Sequence, residues 1–224
     1  MKIPFTIEQF LKVFKEYNLA VWPVQIILYI VALATIFFAI KKTKGSNKIV
    51  SVVLSFFWLW MGIVYHLIFF TTINKAAYLF AIFFVLQGLL FFFLGFLKHK
   101  LLFNFQATLQ GVTGIILIVF ALIFYPILNY IFDHIYPYSP TFGLPCPTVI
   151  FTLGLLQWTK AKNTLIILLI PLFWSFVGFS AAFSLMIYED TGLVIAGIIT
   201  IITAIVKNRK IENKGGDVRY MGDQ

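Results

Sequence analysis

Residues 41–72 read KKTKGSNKIVSVVLSFFWLWMGIVYHLIFFTT: four lysines within eight positions, then a run from Ile49 to Thr72 with no Lys, Arg, Asp or Glu. A helix rises about 1.5 Å per residue, so this run exceeds the roughly 20 residues that cross a hydrocarbon layer of about 30 Å. The same alternation recurs along the chain. Thirteen of the seventeen Lys and Arg fall in Lys41–Lys48, Lys98–Lys100, Lys160–Lys162 and Lys207–Arg219, and apolar runs separate them. With 61% hydrophobic and 11% charged residues, a water-soluble fold of 224 residues could not bury its apolar surface, so lipid is the expected solvent.

The predicted architecture is all-α and polytopic, with seven spans at roughly 20–40, 49–72, 76–97, 107–132, 146–159, 164–187 and 192–206. Lys and Arg in short loops stay cytoplasmic, and all four basic stretches share one side only if the N-terminus is outside and the C-terminus inside. The +9 net charge therefore encodes topology rather than a nucleic-acid surface. Residues 1–19 are expected to form an amphipathic interfacial helix. Thr6 and Gln9 have capping-box spacing, and Ile7, Phe10, Leu11, Phe14 and Tyr17 repeat at helical intervals. Residues 20–206 make one transmembrane domain, and 207–224 a basic tail expected to be disordered. The first apolar run is span-length and follows a helix-like polar segment, so no cleavable signal is expected.

A repeat is readable between Trp58-Leu-Trp-Met-Gly62 and Trp174-Ser-Phe-Val-Gly178, an offset that also places Asn74 opposite Asp190. It suggests parallel halves of three spans about a fourth, an arrangement found in carriers whose site lies between the halves.

Chemistry must come from few polar groups. One cysteine rules out an internal disulfide, a Cys-x-x-Cys motif and a cysteine-based zinc cluster. No acidic or basic residue sits mid-span, which argues against a midplane proton relay. The remaining polar groups gather toward the outer side: Gln25, Tyr65, His66, Asn74, Asp133, His134, Cys146, Thr148, Glu189 and Asp190, with Gln87 deeper. His66 has two readings, a hydrogen bond across helices to Gln25, Tyr65 or Gln87, or a proton acceptor or soft-metal ligand together with Cys146. Pro145-Cys146-Pro147 either starts a helix with Cys146 as filler or opens carbonyls and a thiol onto a cavity. Glu189 and Asp190 read as a solvated helix cap or as a cation mouth. No nucleophile elbow, His-x-x-x-His pair or phosphate loop is present, so an enzyme is not expected. The seventh span has no lysine for a retinal Schiff base.

The strings Pro4-Phe-Thr-Ile-Glu-Gln-Phe10, Val21-Trp-Pro-Val-Gln25, Trp58-Leu-Trp-Met-Gly62 with Tyr65-His66, Ile73-Asn74 and Thr141-Phe-Gly-Leu-Pro-Cys-Pro-Thr148 resemble the bacterial membrane family called domain of unknown function 6064. The resemblance covers nearly the whole chain. It implies a small multispanning protein of a bacterial inner membrane, of a family with no established substrate, and it carries motif positions onto Gln25, Trp58, His66, Asn74, Gln87 and Cys146. The residues name no cofactor. The expected substrate-binding set is Gln25, Trp58, Tyr65, His66, Asn74, Gln87, Cys146, Thr148 and Asp190. Two functions are expected from it: a transporter or channel for a small solute, cation or soft metal ion, or a heptahelical receptor or accessory subunit that binds without transport. Lipid and further copies of the chain are the expected partners.

Overall fold

The computed structural model describes residues 4–160 and 164–220. The chain opens with the anticipated capping box: Gln9 N–H donates to Thr6 Oγ1 at 3.3 Å and Thr6 N–H donates to Gln9 Oε1 at 2.9 Å. Helix α1 (Ile7–Ala20) follows, then a bend of 84° into α2 (Val24–Ile40). The apolar stripe of α1 lies against protein, with Phe10, Val13, Phe14 and Tyr17 buried, rather than against lipid alone. Residues 1–3 of the expected interfacial helix lie outside the described residues.

Helices α3 (Ser46–Thr72), α4 (Ala77–Leu97) and α5 (Leu109–Ile131) come next. Each contains a π-helical stretch, Met61–Phe69, Phe92–Leu97 and Phe120–Phe124 respectively. After an irregular outer loop come α6 (Pro145–Gln157), α7 (Thr164–Leu185) and α8 (Thr191–Tyr220). Two-residue strands, β1 (Leu102–Phe103) and β2 (Thr159–Lys160), pair antiparallel, a feature the apolar periodicity did not predict.

Among the described residues, five helices are long and apolar enough to cross a membrane: α3, α4, α5, α7 and α8 over Tyr188–Lys207. The bent α1–α2 pair makes up to six. Seven full spans were expected, and five or six meet the length. The segment expected to cross at 146–159 is a helix of 13 residues, about 20 Å long and too short for the hydrocarbon layer. Its sequence, PCPTVIFTLGLLQ, has no polar face, and every residue from Pro147 to Leu156 is buried. A helix that is apolar all round belongs inside a bundle.

The other helices enclose α6. Trp58 of α3 donates from Nε1 to Thr152 Oγ1 at 3.1 Å, and Gln157 bonds Thr200 and Thr203 of α8. Against α5 the approach is closest. A Cβ on Gly154 would stand 2.9 Å from the Gly114 carbonyl oxygen and 2.7 Å from Ile118 Cγ1. Outward-facing side chains of the surrounding helices are apolar: Ile30 and Leu33 on α2, Leu79 and Leu86 on α4, and Leu165 and Leu169 on α7.

Contacts draw the basic stretches to one end. Phe103 N–H donates to Asn47 Oδ1, Leu102 pairs with Lys160, and Lys207 Nζ donates to the Thr159 carbonyl at 2.9 Å. Lys162 lies outside the described residues. The backbone of α8 stays helical to Tyr220, through the Gly215–Gly216 pair, where composition predicts a disordered tail. Extending a helix that is already nucleated adds one hydrogen bond per residue fixed, and the Lys, Arg and Glu of this segment are good helix formers. Residues 221–224 lie outside the described part.

Gly154→Val is expected to lower stability by roughly 1–3 kcal/mol through overpacking at the α5–α6 crossing. Leu169→Val on the outward face of α7 is expected to change it by less than about 0.5 kcal/mol. Thermal unfolding of the two variants in detergent checks the contrast.

Candidate functional site

The end of the molecule opposite the basic stretches is built around a bent loop. Gly143 takes φ +102°, and a Cβ there would lie 2.4 Å from Leu28 Cδ1, so the turn that delivers the chain to Pro145 requires glycine. Asn18, at the end of α1, holds the loop. Its Nδ2 donates to the carbonyls of Pro137 at 2.7 Å and Ser139 at 2.8 Å, and its Oδ1 accepts from Thr141 Oγ1 at 2.7 Å. Thr148 Oγ1 accepts from Gly143 N–H at 2.9 Å, tying the turn to the first turn of α6.

Where α6 begins there is a cavity of about 140 Å³. Its walls are mainly apolar, with aromatic rings from Phe5, Phe10 and Phe14 at the start of the chain and from Tyr65, Phe70, Phe80 and Trp174 of the bundle; Asn74, Cys146 and Asp190 are polar residues of the same lining. Glu189 and Asp190 sit in a 3₁₀ turn leading into α8, where the helix dipole favours negative charge. Both are buried, at 0% and 2% exposure, which overturns the reading of this pair as a solvated cap. The loop and α5 fold over them and supply partners. Tyr125 Oη–H donates to Asp190 Oδ1, the Cys146 thiol faces the same carboxyl, and His134 Nδ1 lies 2.7 Å from Glu189 Oε1.

His134 is in the loop, and its hydrogen bond to Glu189 raises its pKa above the ordinary value near 6.5, an effect that burial opposes in part. Glu189 Oε2 has no hydrogen-bond partner among the described residues.

Of the expected binding residues, Tyr65, Asn74, Cys146 and Asp190 line one cavity, and Gln25, Trp58, His66, Gln87 and Thr148 are not in its lining. His66 is fully buried with neither ring nitrogen hydrogen-bonded among the described residues, and its ring packs at 4.6 Å from Phe84 and 5.1 Å from Trp174. The bond expected from Gln25, Tyr65 or Gln87 does not form: the two glutamines turn their Nε2 donors to backbone carbonyls, and their Oε1 atoms, like the His66 ring nitrogens, have no partner among the described residues. Gln25 Nε2 donates to Asn18 O at 2.8 Å and Gln87 Nε2 to Ile167 O at 3.0 Å. Trp58 is bonded to Thr152, Thr148 to Gly143, and Asn74 Oδ1 to Ala76 N–H at the start of α4. Among the described residues no group of three or more His, Cys, Asp or Glu is placed to hold a metal ion, and Cys146 lines the cavity while His66 does not. Tyr125 and Asn18 were not among the expected binding residues: a tyrosine near a span end reads as an interfacial aromatic and an asparagine in the last turn of a helix as a cap, and neither pattern signals a long-range contact.

An apolar bundle with its polar groups held inside one end is a multi-pass helical membrane protein. The chain belongs to a family of unknown function, DUF6064, whose model matches residues 7–214. No curated protein and no solved structure matches it.

Because the folded state raises the pKa of His134, the stability this pair contributes is full below about pH 6.5 and is lost as pH climbs through the raised value. Melting temperature is expected to fall on that alkaline limb in the native chain. In His134→Ala the limb is expected to flatten.

Proposed function

We propose that this protein is a carrier in a bacterial inner membrane that takes a small solute into the cavity at the start of α6. The supporting observation is the meeting of that cavity with a buried carboxylate, Asp190, at the N-terminus of a half-length helix. Discontinuous helices that stop inside the bundle, with irregular backbone lining a cavity, are the usual construction of carrier sites. The π-helical stretches in α3, α4 and α5 are a second support, since such turns concentrate at functional positions.

Orientation follows from charge. The basic end is assigned to the cytoplasm, which sets the cavity, α1 and the outer loop on the outside. With the α1 end at the cavity and Lys207 at the basic end, the chain makes an odd number of passages, seven if α2 and the descending loop with α6 each count as one. The matched tryptophans of the repeat both pack on Phe84, Trp58 at 4.7 Å and Trp174 at 4.8 Å, as related halves meeting at a shared ring would. One observation favours a receptor instead: Gln87 and Trp58, the deeper polar groups, are bonded internally and do not line the cavity, so a polar path across the bundle has to be created by movement.

The single cysteine allows a direct test, because Cys146 is the only thiol. Methyl methanethiosulfonate applied to the outside of cells is expected to modify Cys146, and in proteoliposomes to stop uptake of the solutes found in a panel of small ions and neutral compounds. Modification without any uptake identifies the receptor reading. A Cys146 that reacts only after unfolding contradicts an outward-open site.

A further inference from the structure

We infer that the occupant of the cavity is a compact organic cation, an alkylammonium ion of about the size of benzene, with its charge on Asp190 and its alkyl groups against the aromatic walls. The inference rests on the reading of this cavity as a solute site and names the class of solute.

Charge comes first. No Lys, Arg or His lines the cavity, and Asp190 is its one charged group among the described residues. The nearby imidazole of His134 is bonded to Glu189, and what Asp190 receives is a neutral hydroxyl from Tyr125 beside the neutral thiol of Cys146. Burying a carboxylate without a positive partner is expensive, and the cost is removed by a proton or by a cation.

The walls decide which kind of cation. A hard metal ion needs several oxygen ligands to replace its water. Here the side-chain oxygens of the wall are those of Asp190, Tyr65 and Asn74, and Asn74 Oδ1 already accepts from Ala76 N–H. A soft metal ion needs more sulfur than Cys146 provides. Rings suit an organic cation instead. Its methyl groups bury against Phe10, Phe70 and Trp174, and its diffuse charge is attracted to ring faces by up to about 2 kcal/mol when water is excluded.

Size agrees. A cavity of about 150 Å³ accommodates benzene, and this one measures about 140 Å³. Trp174, a cavity wall, has its indole N–H beside the Cys146 thiol and offers the occupant its ring. In the wall, Phe5 stands edge-on to Phe70 with centroids 5.6 Å apart.

The test is binding to the full-length protein in nanodiscs, followed by tryptophan fluorescence and calorimetry. Tetramethylammonium is compared with tert-butanol, a neutral molecule of the same number of heavy atoms, with the anion pivalate, and with potassium. Tetramethylammonium is expected to bind at least about tenfold more tightly than tert-butanol, a preference of about 1.4 kcal/mol, with no binding of pivalate or potassium. Asp190→Asn is expected to abolish the preference while tert-butanol binding persists. If Asp190→Asn does not fold, the native series of probes decides alone. Equal binding of tetramethylammonium, tert-butanol and pivalate overturns the cation assignment and leaves a solute cavity. Binding of none of the probes overturns both the assignment and the solute reading beneath it. Tighter binding of potassium than of tetramethylammonium assigns the site to an inorganic ion and also overturns the proposal.

Discussion

A helix that touches no lipid is the constraint on which this structure depends. α6 is apolar on all sides and 13 residues long, so it satisfies its surface only at the centre of the bundle and cannot reach both faces of a membrane. Its N-terminus therefore stops inside the protein, and the chain from α5 must descend to meet it. Everything unusual at that end follows: the positive φ of Gly143, the bonds from Asn18 to the loop carbonyls, and α1 folded at 84° across the opening. A full-length helix in this place would leave neither loop nor cavity.

The same geometry explains how two carboxylates are buried at a membrane-protein rim. Backbone at that depth must find its hydrogen bonds within the protein, and the descending loop brings with it His134 for Glu189, while α5 brings Tyr125 for Asp190. The two acids are left unequal. Glu189 has an imidazole partner; Asp190 has neutral donors and a cavity in front of it. That asymmetry separates a structural group from a group available to a ligand, and it rests on contacts from three separate elements.

The sequence made some of this legible. Runs without charge located the long helices, Thr6 and Gln9 gave the start of α1, and Pro145 and Pro147 gave the start of α6, because caps and prolines act on their own neighbours. Tyr65, Asn74, Cys146 and Asp190, which line the cavity, are legible as candidates because polar groups near apolar runs are conspicuous. What could not be read was distance between elements. The run from Cys146 to Thr159 looks like a span, since hydropathy does not distinguish a lipid-facing helix from one buried in protein. Glu189 and Asp190 look like a surface cap for the same reason: their burial is decided by Tyr125 and His134, 65 and 55 residues away in sequence. His66 was expected to bond Gln25, Tyr65 or Gln87, but the two glutamines turn their Nε2 donors to backbone carbonyls that no side-chain pattern reveals.

The central claim is that α6 is enclosed by protein on every side, and photolabelling from the lipid tests it most directly. A carbene precursor that partitions into the bilayer, followed by peptide mapping, is predicted to label α2, α4 and α7 on residues such as Leu33, Leu86 and Leu169 and to leave 145–157 unlabelled. Labelling of 145–157 to the same extent as those helices would contradict the account.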